Sequence, residues 1–176
     1  ERRGGTVGFP LPGVGLQVVG DHGGPVEAGE IGSIQVKGPN VFKGYWRMPE
    51  KTAEEFTADG YFKTGDVGII DDNGFFKIID RKKDMVLVSG FNVYPNEIED
   101  VVAKLEGVLE CACVGVLDEK SGEAVKLVIV KKNPDLTEAQ VRAYCKENLT
   151  PYKQPKVVEF RTELPKTPVG KILRRE

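Results

Sequence analysis

Hydrophobic and polar positions alternate with the two-residue period of β strands in two segments of the first half of the chain, residues 16–19 and 31–37, which are predicted to be strands. Two further strands are predicted over residues 67–70 and 75–79. Asp71-Asp72-Asn73-Gly74 predicts a hairpin turn between the last two, because Asn-Gly accepts positive φ at little cost. A short helix is expected to begin at Pro49 and to end near Phe56.

The second half mixes helical and strand periods. One apolar face of a helix is predicted over residues 95–105, formed by Ile98, Val101, Val102 and Leu105. Thr137, with Gln140 three positions later, is a capping box that opens a helix to about residue 149. Strands are expected over residues 85–88, 108–116, 124–130 and 156–160, and a last helix over 171–176. This alternation is typical of a compact α+β unit.

Charge and composition narrow the function classes. The 176 residues include 25 basic and 27 acidic side chains without a long basic run, so a nucleic-acid partner is not expected. The longest apolar runs, such as residues 125–130, are strand-length, and no transmembrane helix is predicted. The opening Glu1-Arg2-Arg3-Gly4-Gly5 does not resemble a signal peptide and is typical of the middle of a longer protein.

The cysteines and the single histidine give no metal-binding pattern. Cys111, Cys113 and Cys145 form no Cys-x-x-Cys pair, and His22 is the only histidine, so we expect no zinc site and assign no metal ligand. Two cysteines on alternate positions of a predicted strand are typical of reduced packing residues in a cytosolic protein. We therefore expect a cytoplasmic location.

Three polar clusters are candidates for chemistry. Asp66 follows a glycine, and a carboxylate at such a position can accept hydrogen bonds from both hydroxyls of a ribose. Arg81, in the charged run of residues 80–84, can hold a ribose or a phosphate. Lys171 also follows a glycine, and its compact charge suits a carboxylate attacking a phosphate, because both are anionic. Taken singly, each cluster is better explained as a turn, a solvated linker or a solvated lysine.

Taken together and in order, these clusters resemble the adenylate-forming superfamily of acyl-CoA synthetases, firefly luciferases and peptide-synthetase adenylation domains. The resemblance spans essentially the whole chain and rests on four motifs, at residues 29–52, 59–83, 89–99 and 164–172. The stretch Asp-Gly-Tyr-Phe-Lys-Thr-Gly-Asp at residues 59–66, continuing to residue 83, is similar to the signature of bacterial long-chain fatty acyl-CoA synthetases.

The resemblance implies an α+β fold in two parts. Residues 1–80 would be the β-rich end, a distorted barrel portion, of a large N-terminal AMP-binding domain. Residues 81–84 would be a hinge, and residues 85–176 a small, mobile C-terminal cap domain. The rest of the N-terminal domain, with its phosphate loop and acyl pocket, lies upstream in relatives.

The same resemblance implies roles for individual residues of the nucleotide site and the hinge. Asp66 would bind the ribose hydroxyls of ATP, Arg81 would add a second ribose contact, and Ile78 would line the nucleotide site. Lys83 matches the position about which the cap rotates.

It also implies roles for residues of the cap. Gly90, Phe91 and Asn92 match the loop that forms the tunnel for the pantetheine arm of CoA. Lys171 matches the lysine that bridges the acyl carboxylate and the α-phosphate. The resemblance implies neither a particular acyl-chain length nor an oligomeric state.

The implied reaction has two steps. A fatty acid attacks the α-phosphate of Mg-ATP, which gives acyl-adenylate and pyrophosphate. After the cap rotates, CoA attacks the adenylate and AMP is released. ATP, Mg²⁺ and CoA are therefore expected substrates and cofactors, and the fragment without the missing N-terminal domain is expected to be inactive.

Other functions stay open on the sequence. An adenylation domain that loads a carrier protein would share these motifs. A non-catalytic binding module could use the cap surface to contact a partner, and a luciferase-like oxygenase is a more distant alternative. Peripheral membrane contact through other parts of the protein is also open, although nothing in this stretch predicts a membrane-binding helix.

Overall fold

The computed structural model describes residues 3–174, and the chain divides into two compact units. The first unit is residues 1–83 and the second unit is residues 84–176. Each unit has its own sheet. In the described part, the first unit contains one short α-helix and the second unit contains two longer ones. The predicted α+β class is confirmed.

The first unit is a four-stranded antiparallel sheet in the order β1-β2-β3-β4. Its elements are β1 (Gly15–Val19), β2 (Gly32–Lys37), α1 (Pro49–Glu55), β3 (Phe62–Ile70) and β4 (Phe76–Arg81). The predicted turn joins β3 to β4, with the Gly74 amide donating to the Asp71 carbonyl at 2.8 Å. The barrel portion implied by the resemblance is an open sheet within residues 3–83.

The second unit combines a mixed sheet with two helices. Its elements are β5 (Val86–Val88), β6 (Phe91–Val93), α2 (Pro95–Val102), β7 (Val108–Asp118), β8 (Gly122–Lys131), α3 (Glu138–Asn148) and β9 (Val157–Arg161). The strands run in the order β6-β5-β8-β7, and β9 pairs with β8 in parallel. None of the helices described in residues 3–174 is long and apolar enough to cross a bilayer.

The helices cover one face of the β7–β8 hairpin. Cys111 pairs with Ile129 and Cys113 with Leu127 across the two strands, so all four side chains share a face. They form the main core with buried residues of both helices: Ile98, Val102, Val141 and Cys145. Burying each large aliphatic side chain there contributes about 2 kcal/mol of transfer free energy, which is what holds the helices on the sheet.

Helix ends follow local hydrogen bonding. The predicted capping box of α3 is confirmed, with the Thr137 hydroxyl accepting from the Gln140 amide and the Gln140 side chain accepting from the Thr137 amide. The α2 helix ends at Val102, three residues before the predicted end. The amides of Lys104 and Leu105 bond carbonyls three residues back, which tightens the last turn before it stops.

The prediction of a last helix at residues 171–176 is wrong for residues 171–174, and residues 175–176 lie outside the described part. The segment is one arm of a hairpin in which Lys166 pairs with Ile172. The Leu173 amide donates to the Pro165 carbonyl at 2.9 Å. These cross-hairpin bonds occupy the backbone groups that a helix would need.

Candidate functional site

A bulge in β3 positions Asp66. The register of the β2–β3 pair shifts at Ile34, so residues 64–66 lie opposite this single residue. Gly65 has φ of 76°, which glycine adopts readily and other residues do not. The Asp66 amide donates to the Thr64 hydroxyl at 3.1 Å, and that hydroxyl donates to the Ile34 carbonyl at 2.9 Å. The feature expected to be a turn is therefore a kink within a strand.

A second bulge brings the three predicted nucleotide residues together. The register of the β3–β4 pair shifts around Ile79, so Asp66 pairs with Arg81 while Gly68 pairs with Ile78. Cross-strand partners share a face of a sheet, so Arg81 and Ile78 lie on the same face as Asp66 although they are three positions apart. A regular strand would have put one of them on the opposite face.

Asp66 and Arg81 form an ion pair on this face, with 2.8 Å between Arg81 Nε and Asp66 Oδ1. The Arg81 side chain is 49% exposed, so the pair contributes at most about 1 kcal/mol to stability. A carboxylate has about four lone-pair positions, so Asp66 can keep the arginine and still accept bonds from hydroxyls. Ile78 is 47% exposed and adds apolar surface beside the two charges.

The opposite face fixes this arrangement from behind. Val67 and Asp80 pair there and are both almost fully buried. The Arg81 amide donates to the Asp80 carboxylate at 2.8 Å. A Cβ on Gly68 would lie 2.4 Å from the Lys77 carbonyl oxygen, so the hairpin can pack only around glycine here. Asp80 was predicted to be part of a charged linker, and its structural role was missed.

The predicted hinge residue Lys83 lies where the two units meet along the chain. It is exposed in a short 3₁₀ turn, Lys82–Asp84, and the boundary between the units falls after it. Within residues 3–174 its side chain has no hydrogen bond or ion pair. Lys82 instead bonds back into the first unit, to the Ser33 hydroxyl at 3.1 Å.

The predicted CoA residues form a tight hairpin between β5 and β6. Ser89 and Gly90 have φ of 50° and 85°, the signs of a two-residue type I′ turn. Nothing lies within 4 Å of a Cβ built on Gly90, so its backbone is open to a ligand. Phe91 stacks on Tyr152 at 4.6 Å between ring centroids, and Asn92 is exposed. Tyr152 was missed, because a contact so distant in sequence leaves no local pattern.

Lys171 follows the tip of the C-terminal hairpin. The Gly170 amide donates to the Thr167 carbonyl at 2.8 Å, and the Thr167 amide donates to the Lys171 carbonyl at 2.8 Å. This is a three-residue hairpin loop with glycine, at φ of 81°, in the left-handed position. The Lys171 side chain is exposed, and its ammonium has no hydrogen bond or ion pair in the described part of the chain.

The Gly90 turn lies at one end of the β7–β8 hairpin. The Ser89 amide donates to the Ser121 carbonyl at 2.9 Å, in the turn that joins β7 to β8. Val88 pairs with Gly122, which itself pairs with Asp118 at the end of β7.

The Lys171 hairpin lies at the other end. Lys166 forms an ion pair with Glu110, near the start of β7. Ile172 packs with a second core cluster on the face of the sheet away from the helices: Ala112, Val128, Val130 and Leu164. Glu110 and Asp118 are eight residues apart, or about 26 Å along an extended strand. The two predicted functional loops therefore project from opposite ends of one sheet.

The cysteines supply no nucleophile. All three are buried, and none of them forms a disulfide in the described part of the chain. Burial, followed by the nearby Glu99 carboxylate, raises the pKa of Cys111 from 9.0 to about 12, and burial raises the pKa of Cys145. These two thiols stay protonated near neutral pH and pack as apolar groups. In residues 3–174 no group of three His, Cys, Asp or Glu side chains is placed to hold a metal ion.

Two family comparisons match the chain on both sides of the candidate hinge. The AMP-binding enzyme family matches residues 1–46, and the AMP-binding enzyme C-terminal domain matches residues 97–171. The chain is therefore similar to AMP-binding enzymes in both of its parts.

Curated relatives of this family are similar over nearly the whole chain. A long-chain-fatty-acid–CoA ligase of Salmonella typhimurium is 55% identical over 172 residues, which is 98% of this chain and 30% of the relative. The enzyme of the same name from Bacillus subtilis is 45% identical, over 97% of this chain and 31% of the relative. The chain thus spans under a third of the length of these relatives.

Solved structures show the same fold. ATP-bound MatB from Rhodopseudomonas palustris, 47% identical, matches 97% of this chain and 34% of its own with a TM-score of 0.92. The apo form of MatB matches 99% of this chain and 35% of its own, with a TM-score of 0.66. The o-succinylbenzoate CoA synthetase MenE from Bacillus subtilis, in complex with an acyl-adenylate, is 34% identical with a TM-score of 0.90, over 98% of this chain and 35% of its own.

The positive φ of Gly65 predicts a specific sensitivity in the Asp66 bulge. We expect Gly65→Ala to lower the free energy of unfolding by about 1–2 kcal/mol, because alanine is strained in the left-handed region. Gly24→Ala is the matched control: Gly24 is also exposed with open space around its Cβ, but it lacks the positive φ. Urea unfolding of the two variants measures the difference, and equal effects would contradict the assigned conformation.

Proposed function

We propose that this chain is the C-terminal part of a long-chain fatty acid–CoA ligase, an AMP-forming acid–thiol ligase. The full-length enzyme would convert a fatty acid and ATP to acyl-adenylate and pyrophosphate, and then transfer the acyl group to CoA with release of AMP. The main support is one sheet with the Gly90 turn and the Lys171 hairpin at opposite ends, in a chain 55% identical to a ligase of that name.

The nucleotide would bind on the face of the β3–β4 hairpin that contains Asp66, Arg81 and Ile78. Asp66 would accept hydrogen bonds from the ribose hydroxyls, Arg81 would donate to the ribose, and Ile78 would cover the apolar side. The matched structures that hold ATP, in MatB, and an acyl-adenylate, in MenE, support a nucleotide site in proteins of this fold.

Lys171 would act in the first step. An exposed ammonium, with no ion pair among residues 3–174, can bridge the attacking carboxylate and the α-phosphate and offset the repulsion between them. Mg²⁺ is expected to accompany ATP, but the described residues contain no cluster of three ligands for it. We therefore assign no step of this chain to the metal.

The Gly90 turn would act in the second step. Pantetheine is a slender chain, and a glycine with open space around it lets a ligand approach the backbone closely. Phe91 and Asn92 flank the glycine, and the stack of Phe91 on Tyr152 would hold the turn in place.

The two loops require a movement of the second unit between the steps. Lys171 and Gly90 belong to one compact unit, and their loops adjoin opposite ends of β7, whose residues Glu110 and Asp118 are about 26 Å apart along the strand. A single active centre can therefore meet the two loops only in turn. Rotation at Lys83, the exposed residue at the unit boundary, would exchange them. The TM-scores of 0.92 and 0.66 for two structures of MatB support this, because structures of one relative differ over the matched region.

We propose that the fatty acid pocket, which would set the acyl-chain length, lies in the part of the full-length enzyme that this chain does not span. We therefore propose that the fragment alone is inactive and needs that N-terminal part. We also propose a cytoplasmic location, which fits cysteines that form no disulfide. Peripheral contact at the inner face of the membrane would be made through other parts of the protein. Cell fractionation tests this location, and secretion of the parent protein would contradict it.

The acyl acceptor is the part of the reaction with a specific alternative. The amide bond synthetase McbA from Marinactinospora thermotolerans is 37% identical with a TM-score of 0.88, over 97% of this chain and 35% of its own. This similarity makes an amine an alternative acceptor to CoA after the same adenylation. The phosphopantetheine of a carrier protein is the other alternative, because adenylation domains share the sequence motifs. Assays with CoA, a carrier protein and simple amines separate these acceptors, and turnover with CoA alone supports the ligase.

Lys171→Ala in the full-length enzyme should affect the two half-reactions differently. We expect the adenylation step to lose about 3 kcal/mol of transition-state stabilisation, because one preorganised cation is removed. Thioester formation from supplied acyl-adenylate should be nearly unchanged. Pyrophosphate exchange and acyl-CoA formation measure the two steps. Lys104→Ala, which removes another exposed lysine of the second unit, is the control. If Lys171→Ala lowers the rates of both steps equally, the proposed role of Lys171 in adenylation is contradicted.

Lys83→Pro should restrict the proposed rotation. Proline fixes φ near −65°, so we expect the variant to favour one orientation and to lose the half-reaction of the other. Lys83→Ala is the matched control, because it removes the same side chain but leaves φ free. Normal rates of both half-reactions in the proline variant would show that Lys83 is not the hinge.

A further inference from the structure

Arg174 lies three residues after Lys171 and is mostly buried, with 18% of its side chain exposed. Its Nε donates to Glu99 Oε1 at 2.9 Å and its Nη2 donates to Glu99 Oε2 at 2.7 Å. Two parallel bonds between a guanidinium and a carboxylate fix direction as well as distance. The chain just beyond the Lys171 hairpin is therefore tied to α2.

Two further contacts widen this anchor. Arg174 Nη2 also donates to Asn96 Oδ1, in the first turn of α2, and Nη1 lies 3.5 Å from Asp84 Oδ2. Asp84 is the first residue of the second unit, directly after Lys83. Glu99 in turn accepts from the Cys113 amide of β7 at 2.8 Å. One guanidinium thus connects the C-terminal segment, α2 and the start of the unit.

The hairpin itself has weaker attachments. Its tip is exposed, with Val169 at 89%, and the Lys166–Glu110 pair is also open to solvent. Ile172 supplies an apolar contact but does not fix rotation of the hairpin about its own axis. The directional, mostly buried contact in this segment is that of Arg174. If Arg174 had only a structural role, its contacts would need to keep the C-terminal segment attached to the second unit but would not need to fix its direction.

We propose that Arg174 is a positioning residue for Lys171. It holds the hairpin in one orientation on the second unit. The Lys171 ammonium is then placed to contact both the acyl carboxylate and the α-phosphate. This rests on the proposed function. Its contacts with Asp84, Asn96 and Glu99 are all within the second unit, so the clamp can stay intact while that unit turns. Misplacing a catalytic group by a small distance lowers the reaction rate by a large factor. Loss of the Arg174 contacts would therefore slow adenylation even if Lys171 itself is unchanged.

The test uses the full-length enzyme with Arg174→Met and Arg174→Lys. Methionine keeps much of the volume without the charge, and lysine keeps the charge without the two parallel bonds. Arg161→Met is the matched control, because Arg161 pairs with Glu159 in an exposed ion pair of the same unit. Glu99→Gln keeps the shape of the partner and provides a second route if Arg174→Met does not fold.

We expect Arg174→Met to lower kcat for adenylation by about tenfold or more, with the KM for ATP and the thioester step within roughly twofold. Arg174→Lys should be intermediate, and Glu99→Gln should show the same selectivity for adenylation. Hydrogen exchange of residues 165–173 should rise by about tenfold in Arg174→Met. Arg161→Met should change none of these.

The outcomes separate this proposal from the proposed function. If Lys171→Ala leaves adenylation intact, the assigned role of Lys171 fails and that of Arg174 fails with it. If Lys171→Ala loses adenylation but Arg174→Met and Glu99→Gln do not, only the positioning role is overturned. If the Arg174 variants lose both half-reactions equally and also have a lower Tm, the positioning role is overturned as well. That result is expected of a residue that only stabilises the fold.

Discussion

The β7–β8 hairpin is the element on which the second unit depends. Its two long strands bury one face under α2 and α3 and the other under the C-terminal hairpin, so both cores form on the same pair of strands. Its length also has a functional consequence. Because the Gly90 turn adjoins one end and the Lys171 hairpin the other, about 26 Å of strand between Glu110 and Asp118 keeps the two loops apart. That separation supports the proposed two-step chemistry, with a movement of the second unit between the steps.

In the first unit, β bulges place the proposed nucleotide-binding residues on one face of the sheet. The residues proposed for the nucleotide are not spaced as one face of a regular strand, since Arg81 and Ile78 are three positions apart. The shift of register at Ile34 positions Asp66, and the shift around Ile79 puts Arg81 and Ile78 beside it. The buried pair Val67 and Asp80 holds the back of this surface. Irregular backbone at the site is thus supported by regular packing behind it.

Sequence patterns predicted the elements whose signals are local. Alternation and strand-length apolar runs identified most strands, and the capping box at Thr137 identified the start of α3. They did not predict the bulges, because an inserted residue changes which side chains share a face without changing composition. They also made residues 171–174 helical, since the cross-hairpin bond from Leu173 to Pro165 is not visible in the spacing of apolar residues. The contacts of Arg174 with α2 and of Phe91 with Tyr152 join distant segments, which a single sequence does not encode locally.

The claim that one protein performs both half-reactions is tested most directly by product stoichiometry. The full-length enzyme would be given Mg-ATP, CoA and carboxylic acids of graded chain length, and AMP and acyl-CoA would be quantified in the same samples. We expect equal amounts of AMP and acyl-CoA, highest for long-chain acids. Release of AMP without acyl-CoA, or no turnover of any acid, would contradict it.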